Sequence, residues 1–98
     1  MLSVTDIQTT VEPILRDTNV IRLILFGSYA KETATDNSDI DLFLDSNGEI
    51  TGLAFYEIKA KIEDALPAKI HLLPDLDVIP ESAVANQISK SGVVVYER

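Results

Sequence analysis

Apolar and polar positions along the chain follow two rhythms. Ile7, Val11, Ile14 and Leu15 recur at three- and four-residue intervals, the period of a helix that buries one stripe. Ser3 followed by Asp6 has the form of a capping box at the start of that helix. Pro13 lacks an N–H and crowds the preceding turn, so a kinked or shortened helix is expected. Val20 to Phe26 has only Arg22 interrupting β-branched, aliphatic and aromatic residues, which predicts a strand covered on both faces. From Asp39 to Asp45 the rhythm becomes strict alternation. Positions 40, 42 and 44 are aliphatic, while 39, 41, 43 and 45 are Asp, Asp, Phe and Asp, so one face is core and the other acidic. Phe55, Ile58, Ile62, Ala65 and Leu66 then form the stripe of a longer helix, with Thr51 as its cap and Leu66-Pro67 as its end. Lys69 to Leu73 alternates again, with Ile70 and Leu72 on one face, Lys69, His71 and Leu73 on the other, and Pro74 closing the strand.

The connections carry turn chemistry. Gly27 stops the first strand, Ser28 predicts the cap of a short helix reaching about Ala34, and Thr35-Asp36-Asn37-Ser38 is a cluster of turn formers. Ser46-Asn47-Gly48 reads as a turn. Pro80 suits the first residue of a short amphipathic helix containing Val84 and Ile88 and ended by Gly92, and Val93 to Tyr96 reads as a last short strand. The predicted order, αβαβαβαβ, belongs to an α/β (α+β) layer structure, and with no repeat or linker residues 1–98 are expected to form one domain.

Charge narrows the partners. Sixteen acidic against eight basic residues give a formal net charge of −8, which argues against direct nucleic-acid binding and favours a basic protein partner or metal-escorted phosphates. No apolar run has the ~18–20 residues of a membrane span and no signal-peptide pattern opens the chain, so a cytoplasmic location is expected. The absence of Cys leaves no thiolate metal site and no disulfide framework. A domain this small has few residues to cover its sheet, which leaves apolar surface for a homo-oligomer.

Two groups of residues carry candidate chemistry. Gly27-Ser28 at the junction of a strand and a helix N-terminus gives a phosphate close access to backbone N–H groups and to a hydroxyl. On its own such a pair is more often a turn and a cap. Asp39 and Asp41, two residues apart on one strand face, are separated by roughly 6.6 Å, and uncompensated carboxylates in an apolar strand are costly unless solvated or bound to a cation. Together with water and phosphate oxygens, such carboxylates suit Mg²⁺.

Gly27-Ser28, ten intervening residues and then Asp39-Ile40-Asp41 resemble the Gly-Ser-x10-Asp-x-Asp signature of the DNA polymerase β-like nucleotidyltransferase superfamily. Within it the chain is most similar to the minimal nucleotidyltransferases that serve as antitoxins beside HEPN-domain toxins. That resemblance implies a small mixed β-sheet flanked by helices, with ATP and Mg²⁺ at its end. It implies that Gly27, Ser28 and Lys31 hold the triphosphate, that Asp39 and Asp41 ligate the metal, and that AMP passes to a tyrosine hydroxyl of the HEPN toxin.

The chain departs from the family pattern at two places. Members carry a third carboxylate on the strand after the long helix; aligning Ala68 to Leu73 with that strand puts His71 there, while Asp75 lies four residues further on beyond Pro74. A neutral imidazole suits a proton acceptor but is a poor ligand for Mg²⁺. Lys31-Glu32 stands where relatives often have Arg-Gly, which loses a bidentate fork and adds an anion near the phosphate site. Two outcomes therefore stay open: an adenylyltransferase in which His71 is catalytic with Asp39 and Asp41, or a weakened or inactive relative that neutralises its partner by binding. A third, transfer to a small acceptor, needs a pocket that this length barely allows.

Overall fold

A computed structural model describes residues 2–31, 33–35 and 37–98. The chain opens with helix α1 (Val4–Leu15), continues through strands β1 (Arg22–Phe26) and β2 (Ile40–Asp45), helix α2 (Gly52–Ala65) and strand β3 (Ile70–Pro74), and closes with helix α3 (Ala83–Ser91) and strand β4 (Val93–Glu97). A single 3₁₀ turn, Asp75–Asp77, follows β3. The strands form one mixed sheet in the order β3-β2-β1-β4. β1 runs antiparallel to both β2 and β4, and β3 lies parallel to β2, the pairing that the α2 crossover permits.

One face of the sheet holds the main core. Leu23, Leu25, Leu42, Leu44, Ile70, Leu72 and Val95 meet Ile7, Val11 and Leu15 of α1 and Phe55, Ile58 and Ile62 of α2. The period-2 and period-3.6 stripes read from the sequence are these faces. The opposite face is covered more thinly, by α3 packed over β1 and by the connection that precedes α3. Ile24 on that face is half-buried and Arg22 exposed, so β1 is not covered evenly on both sides as expected.

The other differences are local. The capping box forms, with Ser3 Oγ accepting from Asp6 N and an Asp6 carboxylate oxygen accepting from Ser3 N. Pro13 does not shorten α1, which runs through it to Leu15. Thr51 sits at the N-cap of α2, but its side chain makes no capping bond. Among the described residues the short helix expected from Ser28 does not form: Lys31 N bonds Gly27 O, and Thr33 N bonds Ser28 O one residue wider. Tyr29 instead turns inward to join the core. Glu32 and Asp36, both singled out in the sequence, lie outside the described residues. Ser82 rather than Pro80 starts α3, its hydroxyl accepting from Ala85 N, so Pro80 belongs to the turn before the helix. Gly92 ends α3 as expected but with an ordinary negative φ of −68°. Its lack of a side chain matters for space, because a Cβ there would lie 2.7 Å from Ile24 Cγ2 and press on Ile88 O.

Candidate active site

β1 and β2 are joined at one end of the sheet, so the chain leaves Phe26, passes Gly27 and Ser28, and returns through Asp39 to Ile40 at that same end. The antiparallel register places Phe26 opposite Asp41, and the parallel register places Asp41 beside His71. Phe26, Asp41 and His71 thus form a row across three strands on the face that α1 and α2 leave uncovered.

Gly27 fixes the first contact of this row. Its φ of +73° is a left-handed conformation that disfavours any residue with a Cβ. The space is equally restrictive, since a Cβ built there would come closer than 3.0 Å to Asp41 Oδ2. The corner and the carboxylate touch through bare backbone. The other carboxylate oxygen, Oδ1, lies 3.1 Å from His71 Nδ1. An ionised carboxylate only accepts, so Nδ1 donates, and in the neutral ring Nε2 is left as an acceptor. The Asp41 side chain is 25% exposed and that of His71 57%, so the imidazole reaches solvent while the carboxylate is held between two neighbours.

Ser28 is half-buried, and Asp39 and Lys31 are exposed. All three lie at the same end of the sheet as Gly27, Lys31 through its backbone bond to Gly27 O. Asp75 lies elsewhere. Its Oδ2 accepts from Ser46 N at 3.1 Å and Gly48 N at 3.0 Å, tying the 3₁₀ turn to the loop after β2, at the opposite end of that strand from Asp41. It does not replace a third carboxylate. Among the described residues no three acidic, imidazole or thiol groups converge as a complete metal cage. Mg²⁺ seldom needs one, because it commonly takes one or two carboxylates and fills its octahedron with phosphate oxygens and water. Asp41 beside an open backbone corner, with exposed Asp39 two residues away, is a donor set of that kind.

The sequence reading requires the Gly27-Ser28 corner to lie beside Asp39 and Asp41, and the structure brings Gly27 against Asp41. The hydrogen bond between Asp41 and His71 was not read from the sequence. It had a signal, since a helix between two strands implies parallel neighbours and sets the acidic face of one beside the Lys69-His71-Leu73 face of the other.

The family described as Polymerase beta, Nucleotidyltransferase matches residues 9–98. A candidate protein adenylyltransferase of Methanocaldococcus jannaschii, MJ0126, is 30% identical over 71 residues, covering 72% of this chain and 66% of that protein, just under two thirds of its length. A second from the same organism, MJ0128, is 28% identical over 89 residues, 90% of this chain and 85% of the relative. Among solved structures, a chain of a toxin-antitoxin crystallised with AMP-PNP superposes with a TM-score of 0.76 at 24% identity, covering 93% of this chain and 73% of that one. A chain from the complex of tri-AMPylated Shewanella oneidensis HEPN toxin with MNT antitoxin gives a TM-score of 0.68 at 20% identity, covering 94% and 71%. At these identities the structural matches speak for the fold.

Proposed function

The chain belongs to the polymerase β nucleotidyltransferase family, and from that membership we propose that it is a protein adenylyltransferase of the antitoxin kind, moving AMP from ATP to a tyrosine hydroxyl of a HEPN-type toxin. The observation that carries this reading is the contact between the Gly27 corner and Asp41, because one nucleotide with its cation has to touch both. On this reading the backbone of Gly27 and the Ser28 hydroxyl bind the triphosphate, Lys31 supplies a positive charge at its edge, and Asp39 and Asp41 hold Mg²⁺. When bound, the ion neutralises phosphate charge and polarises the phosphorus for attack. The acceptor oxygen bonds to the α-phosphorus, the bond from that phosphorus to the bridging oxygen breaks, and pyrophosphate departs with the electron pair. The acceptor proton goes to His71 Nε2, while Asp41 Oδ1 holds the ring by Nδ1 and stabilises the cation that forms, as a carboxylate does for histidine in hydrolytic triads.

The candidate adenylyltransferase relatives and the likeness to chains crystallised with a HEPN toxin and with AMP-PNP support the donor and the partner class. Intact mass of the toxin after incubation with the chain, ATP and Mg²⁺ tests the reading: a gain of one or more AMP is expected, and an unchanged mass rejects it. A second reading, neutralisation by occlusion, is favoured by His71 standing where the pattern has a third carboxylate. The double variant Asp39→Asn with Asp41→Asn separates the two. Protection that survives in the folded double variant supports occlusion, and protection lost with transfer supports catalysis.

A further inference from the structure

Exposed apolar side chains gather at the end of the sheet where β2 and β3 finish. Leu53 and Tyr56 project from the first turns of α2 and Leu76 from the 3₁₀ turn, at 81%, 62% and 67% exposure. Leu53 and Tyr56 lie three residues apart on one helix and so are surface neighbours. Tyr56 and Leu76 line one hollow of about 180 Å³, together with the buried Ile50 and Phe55 and the half-buried Pro74. The Tyr56 ring stands at 81° to that of Phe55 with centroids 5.4 Å apart, so this wall is held by an edge-to-face contact. Single exposed apolar residues are ordinary on a surface, but several joined around one depression mark a contact site. An apolar cavity of about 150 Å³ admits a benzene ring, and ligand sites start near ~300 Å³, so this hollow suits one bulky side chain.

Charge names what the side chain belongs to. The two segments that build the patch, residues 45–58 and 74–79, contain five acidic residues, Asp45, Glu49, Glu57, Asp75 and Asp77, and no Lys or Arg. Asp45 is held by Arg22, and Asp75 accepts from two backbone N–H groups. Glu49, Glu57 and Asp77 are exposed and, among the described residues, make no ion pair. A second copy of the chain would set these acids against their own mates. A Lys or Arg beside an apolar anchor would instead meet them at the rim.

We infer that this patch is a protein-docking surface, separate from the Gly27 and Asp41 corner, for a partner segment that offers one bulky apolar side chain flanked by Lys or Arg. The anchor fills the hollow between Tyr56 and Leu76, and the basic flanks face Glu49, Glu57 and Asp77. A seated anchor carries most of the affinity, while the rim charges set the rate of encounter and the choice of partner. Along β3, Pro74 lies three residues beyond His71, about 10 Å at ~3.3 Å per residue, so a segment held here leaves the corner open. The docking surface goes beyond the transfer reading and serves equally a partner that is modified and one that is only occluded.

Peptide binding tests it without nucleotide or toxin. The full chain, with ¹³C-labelled Ile and Leu methyl groups, is titrated with a capped amphipathic peptide that carries one Phe in a Leu stripe and Lys and Arg on both flanks. Saturable shifts at Ile50, Leu53 and Leu76 are expected, with the same peptide bearing Glu in place of Lys and Arg binding about tenfold or more weakly. Equal binding of the two peptides, or silence at these three residues, overturns the inference. Shifts at the same methyls on raising the chain concentration alone overturn it in favour of a second copy. Leu53→Ser with Leu76→Ser alters only exposed side chains and should abolish the response to the basic peptide. Glu49→Lys with Glu57→Lys should reverse the preference between the two peptides, and a preference unchanged in this variant would count against the site.

Discussion

Gly27 carries two constraints at once, a left-handed backbone and a carboxylate in the place of its missing side chain. Gly27→Ala should therefore destabilise the fold by ~1–2 kcal/mol from the backbone alone. If the chain transfers AMP as proposed, the same change should lower transfer by about a hundredfold or more, because Asp41 is displaced from its place at the corner. Thermal denaturation and the toxin mass assay read the two effects separately, and full activity at reduced stability would confine the glycine to a folding role. His71→Ala should cost ~10²–10⁴ in turnover if the imidazole takes the acceptor proton. His71→Asp, which restores the carboxylate of the family pattern, should recover much of that loss. Part of this was legible at this scale, because residue type, spacing and the family signature single out Gly27, Ser28, Asp39 and Asp41 as candidates, and Gly27 and Asp41 do meet. How His71 meets Asp41 was not, since that contact depends on a register between strands thirty residues apart.

Pairing between strands sets the stability predictions of the elements. Arg22 and Asp45 face each other across β1 and β2, with Arg22 Nη2 2.7 Å from Asp45 Oδ2. Burial pushes the Asp45 carboxyl up, but the Arg22 guanidinium and the Asn47 N–H together outweigh it and hold the group below the usual carboxylate range. A carboxylate with a depressed folded-state pKa adds stability above its unfolded pKa and loses it as pH falls through the folded one. Arg22→Met should therefore cost about 0.5–1 kcal/mol at pH 7, and the difference from the parent should shrink as pH falls below the ordinary carboxylate range, as urea unfolding across that range would show. At the other side of the sheet, Gly92→Ala drives a methyl into Ile24 and the Ile88 carbonyl, and should cost ~1–3 kcal/mol by forcing α3 away from β1. The long stripes of α1, α2, β2 and β3 were readable from period alone. The segment after Gly27 was not, because burial of Tyr29 overrode the helix that Ser28 suggested. The same holds for Pro80, which lost the helix start to the hydroxyl of Ser82.

The whole molecule is acidic, with a net charge of −8, and among the described residues no helix is long and apolar enough to cross a membrane. A basic partner meeting this surface should associate with electrostatic steering, so the association rate should fall about tenfold between low salt and ~0.5 M. Stopped-flow mixing of the chain with a HEPN-type toxin, the proposed partner, at increasing ionic strength would check this, and a rate indifferent to salt would assign recognition to apolar contact alone. β3 forms the rim of the sheet, and it presents His71 away from the packed layer beneath α1 and α2. A residue in that place can be exchanged without disturbing what keeps the chain folded. Reactivity and grip are then separable: one replacement on β3 would silence or revive the chemistry while the scaffold keeps its shape and every surface it offers a partner.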